Sequence, residues 1–117
     1  TISFAMIETR QALDALDDIL AVPGIDAIFV GPGDFSIAWT NGDQINTSLE
    51  EMMPAIEHIA RRALDAGKLT AIFAVDPTIS GRYVEMGYRM IALGNENTYM
   101  ALGASDLIGR ARASIKK

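Results

Sequence analysis

Residues 2–34, ISFAMIETRQALDALDDILAVPGIDAIFVGPGD, decide the fold of this chain. An apolar run over residues 2–7 stops abruptly at Glu8 and reads as a buried strand. Thr9 then suits the N-cap of a helix whose Ala12, Leu13, Leu16, Ile19 and Leu20 recur at helical spacing, and Pro23-Gly24 ends it. A second strand over 26–30 is closed by Gly31-Pro32-Gly33. Strand, helix and strand within so short a span imply parallel pairing through a right-handed crossover.

The pattern continues outward from there. Residues around Trp39, Asn41, Gly42 and Asp43 read as a polar loop with at most one helical turn. Ser48 with Glu51, or Thr47 with Glu50, makes a capping box ahead of a helix with Leu49, Met52, Met53, Ile56, Ile59, Ala60 and Ala63 on one stripe. Gly67 suits its C′ position. A third strand over 69–75 leads to Asp76-Pro77, an N-cap followed by proline, and Gly87 ends that helix. A fourth strand spans 88–93. After Gly94-Asn95 the pattern gives a short helical piece near 99–102, then a last helix capped by Ser105. That helix turns Leu107, Ile108, Ala111 and Ile115 inward and puts Arg112, Lys116 and Lys117 near its negative end. Successive β/α units allow two architectures, a doubly wound sheet or half of an eight-fold barrel.

Size and composition narrow the function. At 117 residues there is room for one domain with one core. Fifteen acidic against ten basic residues give a net charge of −5, which disfavours nucleic acid and anionic membrane as partners. An anionic small molecule would then need a cation to hold it. No apolar run is long enough to span a bilayer. The lack of cysteine makes a reducing cytoplasm the default compartment. The chain enters a strand pattern at Thr1, so it reads as one cut from a longer polypeptide.

Glu8 and Asp34 lead the candidate residues, because each sits where an apolar strand stops. Strand ends are where α/β proteins open onto a shared crevice, and two carboxylates there suit Mg²⁺ or Mn²⁺. The plainer alternative is that Glu8 supports the first turn of its helix and Asp34 caps a turn. Gly31-Pro32-Gly33 lets a ligand approach the backbone and can form an anion nest suited to a carboxylate, or is simply a tight turn. His58, the single histidine, falls about 180° from the apolar stripe and reads as solvated. Trp39 could wall a pocket near Asp34 or pack on a neighbouring subunit. Arg10 and Arg82 could meet substrate anions, although exposed arginines usually pair with nearby acids. The six methionines read mostly as core. No phosphate loop, dinucleotide fingerprint or zinc spacing is present.

The segment MIETRQALDALDDILAVPGIDAIFVGPGDFS over residues 6–36 resembles the HpcH/HpaI aldolase family, and DAGK (65–68), RYVEMGY (82–88) and IALG (91–94) extend the likeness across the chain. The resemblance implies a (β/α)₈ TIM barrel of which this chain, as one domain over 1–117, matches the fifth to eighth units. It implies a divalent-metal-dependent carbon–carbon lyase that cleaves a 4-hydroxy-2-oxo acid to pyruvate and an aldehyde. Glu8 and Asp34 match the metal-binding positions; Gly33 and Asp34 match the segment whose amides meet the pyruvate carboxylate; Phe73 falls near a further backbone contact. In such a site the metal acts as a Lewis acid toward the 2-oxo acid. Met6 stands where the family often has Gln, and Gly33 where it has Ala or Ser. The family's base-supplying His and enolate-stabilising Arg belong to the first four units, so the chain is expected to be inactive alone. A four-strand half-barrel exposes edge strands and a bare sheet face, so oligomerisation, expected as a homo-oligomer, or pairing with an absent partner follows. The competing readings are a non-catalytic assembly module of the same fold and a flavodoxin-like receiver domain.

Overall fold

The structure is a computed structural model and describes residues 1–115. Four strands form one parallel sheet: β1 (Phe4–Ile7), β2 (Ala27–Val30), β3 (Leu69–Ala74) and β4 (Met90–Leu93). Their spatial order follows the chain, β1-β2-β3-β4. Each new strand is therefore added to the same edge. A doubly wound or receiver-type sheet reverses direction partway; this one does not, and its winding is that of a barrel sector.

Six helices complete the fold: α1 (Arg10–Asp14), α2 (Leu16–Leu20), α3 (Pro32–Trp39), α4 (Met53–Asp65), α5 (Ser80–Met86) and α6 (Glu96–Ser114). The core lies between the sheet and the helices. Ile7, Ile28, Val30 and Ile72 meet the stripe Met52, Met53, Ile56, Ile59, Ala60 and Ala63 of α4 and the turn before it, and Tyr83 and Tyr88 complete it. Tyr88 donates its hydroxyl proton to the Ile56 carbonyl at 2.8 Å. Several signals act as expected. Thr9 Oγ1 accepts from the Ala12 amide at 3.0 Å, Asp76 caps the turn at Pro77–Ile79, and Gly67 and Gly87 take the left-handed conformations that end their helices.

Other expectations are corrected. Residues 2–7 are not a buried strand: β1 starts at Phe4, and Phe4 and Met6 are 43% and 54% exposed. They point to the sheet face opposite the helices. On that face the paired residues Met6, Phe29, Ala71 and Met90 form a row with no helix over it. The single helix expected after Thr9 is bent into two at Ala15, although hydrogen bonds continue on both sides, from Ala15 to Gln11 and from Ile19 to Ala15, each 3.0 Å. The capping box is absent: neither helix start near residues 49–52 has a side-chain cap. The Asn46 side chain instead accepts from the Ser48 amide at 3.1 Å, while Glu50 turns to Arg82.

The largest correction concerns the C-terminal segment. One helix, α6, runs unbroken from an Asn95 cap, so Ser105 lies inside it rather than at its start. None of its residues is buried, and Leu107, Ile108 and Ile115 are open to solvent. The radius of gyration, 17.7 Å, exceeds the about 13 Å of a compact chain this long, consistent with a helix that leaves the body. Arg112 does occupy the last turn; Lys116 and Lys117 lie outside the described residues. Of the methionines, Met52, Met53 and Met86 are core, while Met6, Met90 and Met100 are exposed. No helix among the described residues is long and apolar enough to cross a membrane.

Candidate active site

The carboxyl ends of β1 and β2 are tied where the Gly31 amide donates to the Ile7 carbonyl at 3.4 Å. Glu8 leaves β1 at this point, and its side chain lies over Gly31. A methyl group on Gly31 would stand 2.9 Å from Glu8 Oε2. Gly31 has φ −100° and ψ 88°, accessible to any residue, so the space above it, not its backbone, is what glycine provides.

The Gly31-Pro32-Gly33 segment is not a free turn. Gly31 is the N-cap of α3, and Pro32 takes the first helical position, where its fixed φ suits and no amide is lost. The Phe35 amide donates back to the Gly31 carbonyl at 2.9 Å. Gly33 and Asp34 therefore lie in the first helical turn, where amides have no partner within the helix and the helix dipole favours anions. Of the expected loop, Asn41, Gly42 and Asp43 form the turn that follows, while Trp39 is in fact the end of this helix. Phe35 and Trp39, one turn apart with ring centroids 5.7 Å from each other, give it an apolar side that the glycines disguise in the sequence.

A cavity of about 360 Å³ opens here on the helix-free face of the sheet. Its polar lining is Glu8, Gly33, Asp34 and Thr47, and its apolar wall includes Met6, Phe29, Ile45, Phe73 and Val75. The four site residues expected from sequence, Glu8, Gly33, Asp34 and Phe73, all line it. Among the described residues no set of three or more His, Cys, Asp or Glu side chains is grouped as metal ligands. Octahedral Mg²⁺ usually takes only one or two protein carboxylates. None of the ion pairs among the described residues engages Glu8 or Asp34. Two hard-oxygen donors lining one cavity, with no ion-pair partner among the described residues, fit such an ion.

Ile45, Thr47 and Val75 were not singled out by sequence. Ile45 and Thr47 reach the cavity because buried Ser36 donates to the Gly33 carbonyl at 2.7 Å and accepts from the Asn46 amide at 2.9 Å, pinning the following loop against α3. No spacing rule announces such a pin. The remaining candidates lie elsewhere. His58 is exposed on α4. Arg82 makes a two-pronged pair with Glu50, at 2.5 and 2.8 Å, which holds the Glu50 carboxyl below its ordinary range. Trp39 does not line the cavity; it lies under Arg10, whose guanidinium carbon is 4.5 Å from the ring centroid. A second groove of about 380 Å³, between α4 and α5, is lined by Arg82 and its partner Glu50 but by none of Glu8, Gly33, Asp34 and Phe73.

Comparison with known proteins identifies the family. The chain is 38% identical over 104 residues to a 4-hydroxy-2-oxo-heptane-1,7-dioate aldolase of Klebsiella pneumoniae, covering 89% of this chain and 38% of that protein. It is 33% identical over 112 residues to a hydroxypyruvate/pyruvate aldolase of Rhizorhabdus wittichii, covering 96% and 45%. The chain thus spans less than half the length of these relatives. The crystal structure of an HpcH/HpaI aldolase/citrate lyase family protein from Burkholderia cenocepacia superposes with a TM-score of 0.84 at 23% identity, over 96% of this chain and 43% of that one, a likeness of fold. With a family sequence profile matching residues 1–106, the chain belongs to the HpcH/HpaI aldolase/citrate lyase family.

Proposed function

We propose that the chain supplies the metal-holding and carboxylate-binding side of a carbon–carbon lyase site that cleaves a 4-hydroxy-2-oxo acid to pyruvate and an aldehyde. The observation that carries this reading is the shared cavity: Glu8, Gly33, Asp34 and Phe73 line one rim at the carboxyl end of the sheet. Glu8 and Asp34 would hold a divalent cation, Mg²⁺ or Mn²⁺, which when bound offers a Lewis acid to the oxygens of the 2-oxo acid. The first-turn amides of Gly33 and Asp34 donate to the substrate carboxylate, assisted by the positive end of α3. The Phe73 main chain adds a contact, and Phe29, Ile45 and Val75 keep water from that side. Met6 offers no strong hydrogen bond, so it contributes wall rather than recognition.

The two aldolase relatives, with 38% and 33% identity, support this substrate class. The chain corresponds to units five to eight of a (β/α)₈ barrel. Its single histidine is exposed on α4 away from the cavity, and on this reading Glu8 and Asp34 are committed to the cation. Alone it is therefore inactive. A homo-oligomeric, cytoplasmic protein fits the uncovered α6 and the absence of cysteine. The same helix favours the second reading, an assembly module without activity.

Mn²⁺ binding followed by electron paramagnetic resonance, with and without pyruvate, separates the two. The lyase reading expects Mn²⁺ to bind, pyruvate to bind only in its presence, and Asp34→Ala to lose both. Pyruvate binding that survives a chelator, or unchanged Mn²⁺ binding in Asp34→Ala, overturns it.

A further inference from the structure

Arg10 stands two residues beyond Glu8 and reaches the far end of the helix that carries Asp34. Its Nε donates to the Ala38 carbonyl at 3.2 Å, and an Nη donates to the Trp39 carbonyl at 2.5 Å. Both carbonyls belong to the last turn of α3, where backbone acceptors have no partner within the helix and a cation is favoured by the dipole. The guanidinium also lies over the Trp39 ring at 4.5 Å, and Trp39 packs on fully buried Phe35. No carboxylate pairs with Arg10 among the described ion pairs.

We propose that Arg10 is a positioning residue that fixes Asp34 relative to Glu8. The inference rests on the reading above, in which those two carboxylates share a cation. They stand on different elements: Glu8 follows β1, which pairs with β2 up to Ile7 and Val30, and Asp34 rides on α3 beyond the 3.4 Å contact from the Gly31 amide to the Ile7 carbonyl. Beyond α3 the chain turns through Asn41 and Gly42, both in left-handed conformation. Buried Phe35 and Ser36 seat the middle of α3 against the core, and its half-buried last turn is left to Arg10. Arg10 holds that turn to the segment that follows Glu8, so the β1–α1 junction and α3 move as one piece. Octahedral Mg²⁺ tolerates little distortion, so a movement of α3 that shifts Asp34 weakens binding before it disturbs the fold.

The test uses the 117-residue chain with Arg10→Ala and Arg10→Lys, at a temperature where circular dichroism shows each folded. Mn²⁺ affinity by electron paramagnetic resonance is expected to fall about tenfold in Arg10→Ala, the scale for losing a group that orients a metal ligand. Arg10→Lys, which keeps a cation over Trp39, is expected to recover part of it. Trp39 is the single tryptophan, so its fluorescence reports the clamp directly. In metal-free protein the Gly33 and Asp34 amides should exchange faster in Arg10→Ala. Equal Mn²⁺ affinity in folded Arg10→Ala and wild type overturns the proposal, as do unchanged exchange rates, whether or not metal binds. A wild type that binds no Mn²⁺, with normal Arg10 effects on exchange, counts instead against the metal reading. If Arg10→Ala does not fold, Arg10→Lys carries the same comparison.

Discussion

Gly31→Ala should separate the site from the fold. The added methyl would sit 2.9 Å from Glu8 Oε2 and 3.5 Å from Glu8 Cβ, with Met6 Sδ the next neighbour at 4.0 Å. Its backbone, at φ −100° and ψ 88°, accepts alanine without strain. Replacing glycine at a compatible position gains about 0.4–1 kcal/mol through the unfolded chain. Pushing Glu8 off its rotamer costs about 0.5–1.5 kcal/mol. These offset each other to within about 1 kcal/mol, so the melting temperature in chelator should move by no more than ~5 °C. Metal binding should respond very differently, because the displaced group is one of two carboxylates at the rim. A ligand at 100 times its Kd stabilises a protein by about 2.7 kcal/mol; if Kd rises 100-fold the same concentration gives about 0.4 kcal/mol. Differential scanning fluorimetry across a Mg²⁺ or Mn²⁺ titration should therefore show a clear metal-induced shift in wild type and almost none in Gly31→Ala. An equal shift in both would refute the assignment of the Glu8 carboxylate to the ion.

Two further outcomes concern the fold. Gly87 ends α5 at φ +114°, and a methyl there would meet Leu64 Cδ1 at 2.8 Å. Gly87→Ala should cost about 1–3 kcal/mol in urea unfolding, mostly left-handed backbone strain; a loss under ~0.5 kcal/mol would contradict that conformation. Burial, with a smaller contribution from neighbouring Tyr83, pushes the Tyr88 hydroxyl well above its ordinary range. The unfolded chain releases that proton near pH ~10 while the folded chain keeps it, so stability is intact below pH ~10 and falls above it, by up to about 1.4 kcal/mol per pH unit. Tyr88→Phe should flatten this alkaline slope and cost about 1 kcal/mol at neutral pH through the lost bond to Ile56; an unchanged slope would contradict the burial argument.

The strands, their parallel pairing and the α4 stripe were legible because apolar periodicity records which face is buried. Glu8 was legible because it directly follows an apolar run that ends a strand, whereas Asp34 reaches the same cavity from the first turn of α3, beyond Gly31-Pro32-Gly33. The helix after Gly31 was not. Proline and two glycines read as a turn, yet proline at the first helical position starts a helix, and the Phe35–Trp39 pair that stabilises it is only one turn long. Ile45 and Thr47 were hidden for a different reason: their place depends on Ser36, whose hydroxyl joins the Gly33 carbonyl to the amide of Asn46, ten positions beyond Ser36. In α6 the helical spacing was legible but not its surroundings. Periodicity gives a helix an apolar side without saying whether the chain itself provides the cover.

The open face of the sheet links assembly to chemistry. Parallel sheets are normally covered on both faces, and here the helices cover one. Phe4, Met6, Leu69 and Met90 lie exposed on the other, and β1 and β4 each present an unpaired edge. The cavity holding Glu8 and Asp34 sits at the carboxyl rim of that same face, and Met6, Phe29 and Phe73 are shared between face and cavity. Any polypeptide that covers the apolar face must also wall the open side of the cavity. On the proposed reading, such a cover would dry the two carboxylates and strengthen their hold on a cation. Covering the sheet and enclosing the cavity are then one event, so on the proposed reading the uncovered chain should bind metal more readily than it turns over substrate.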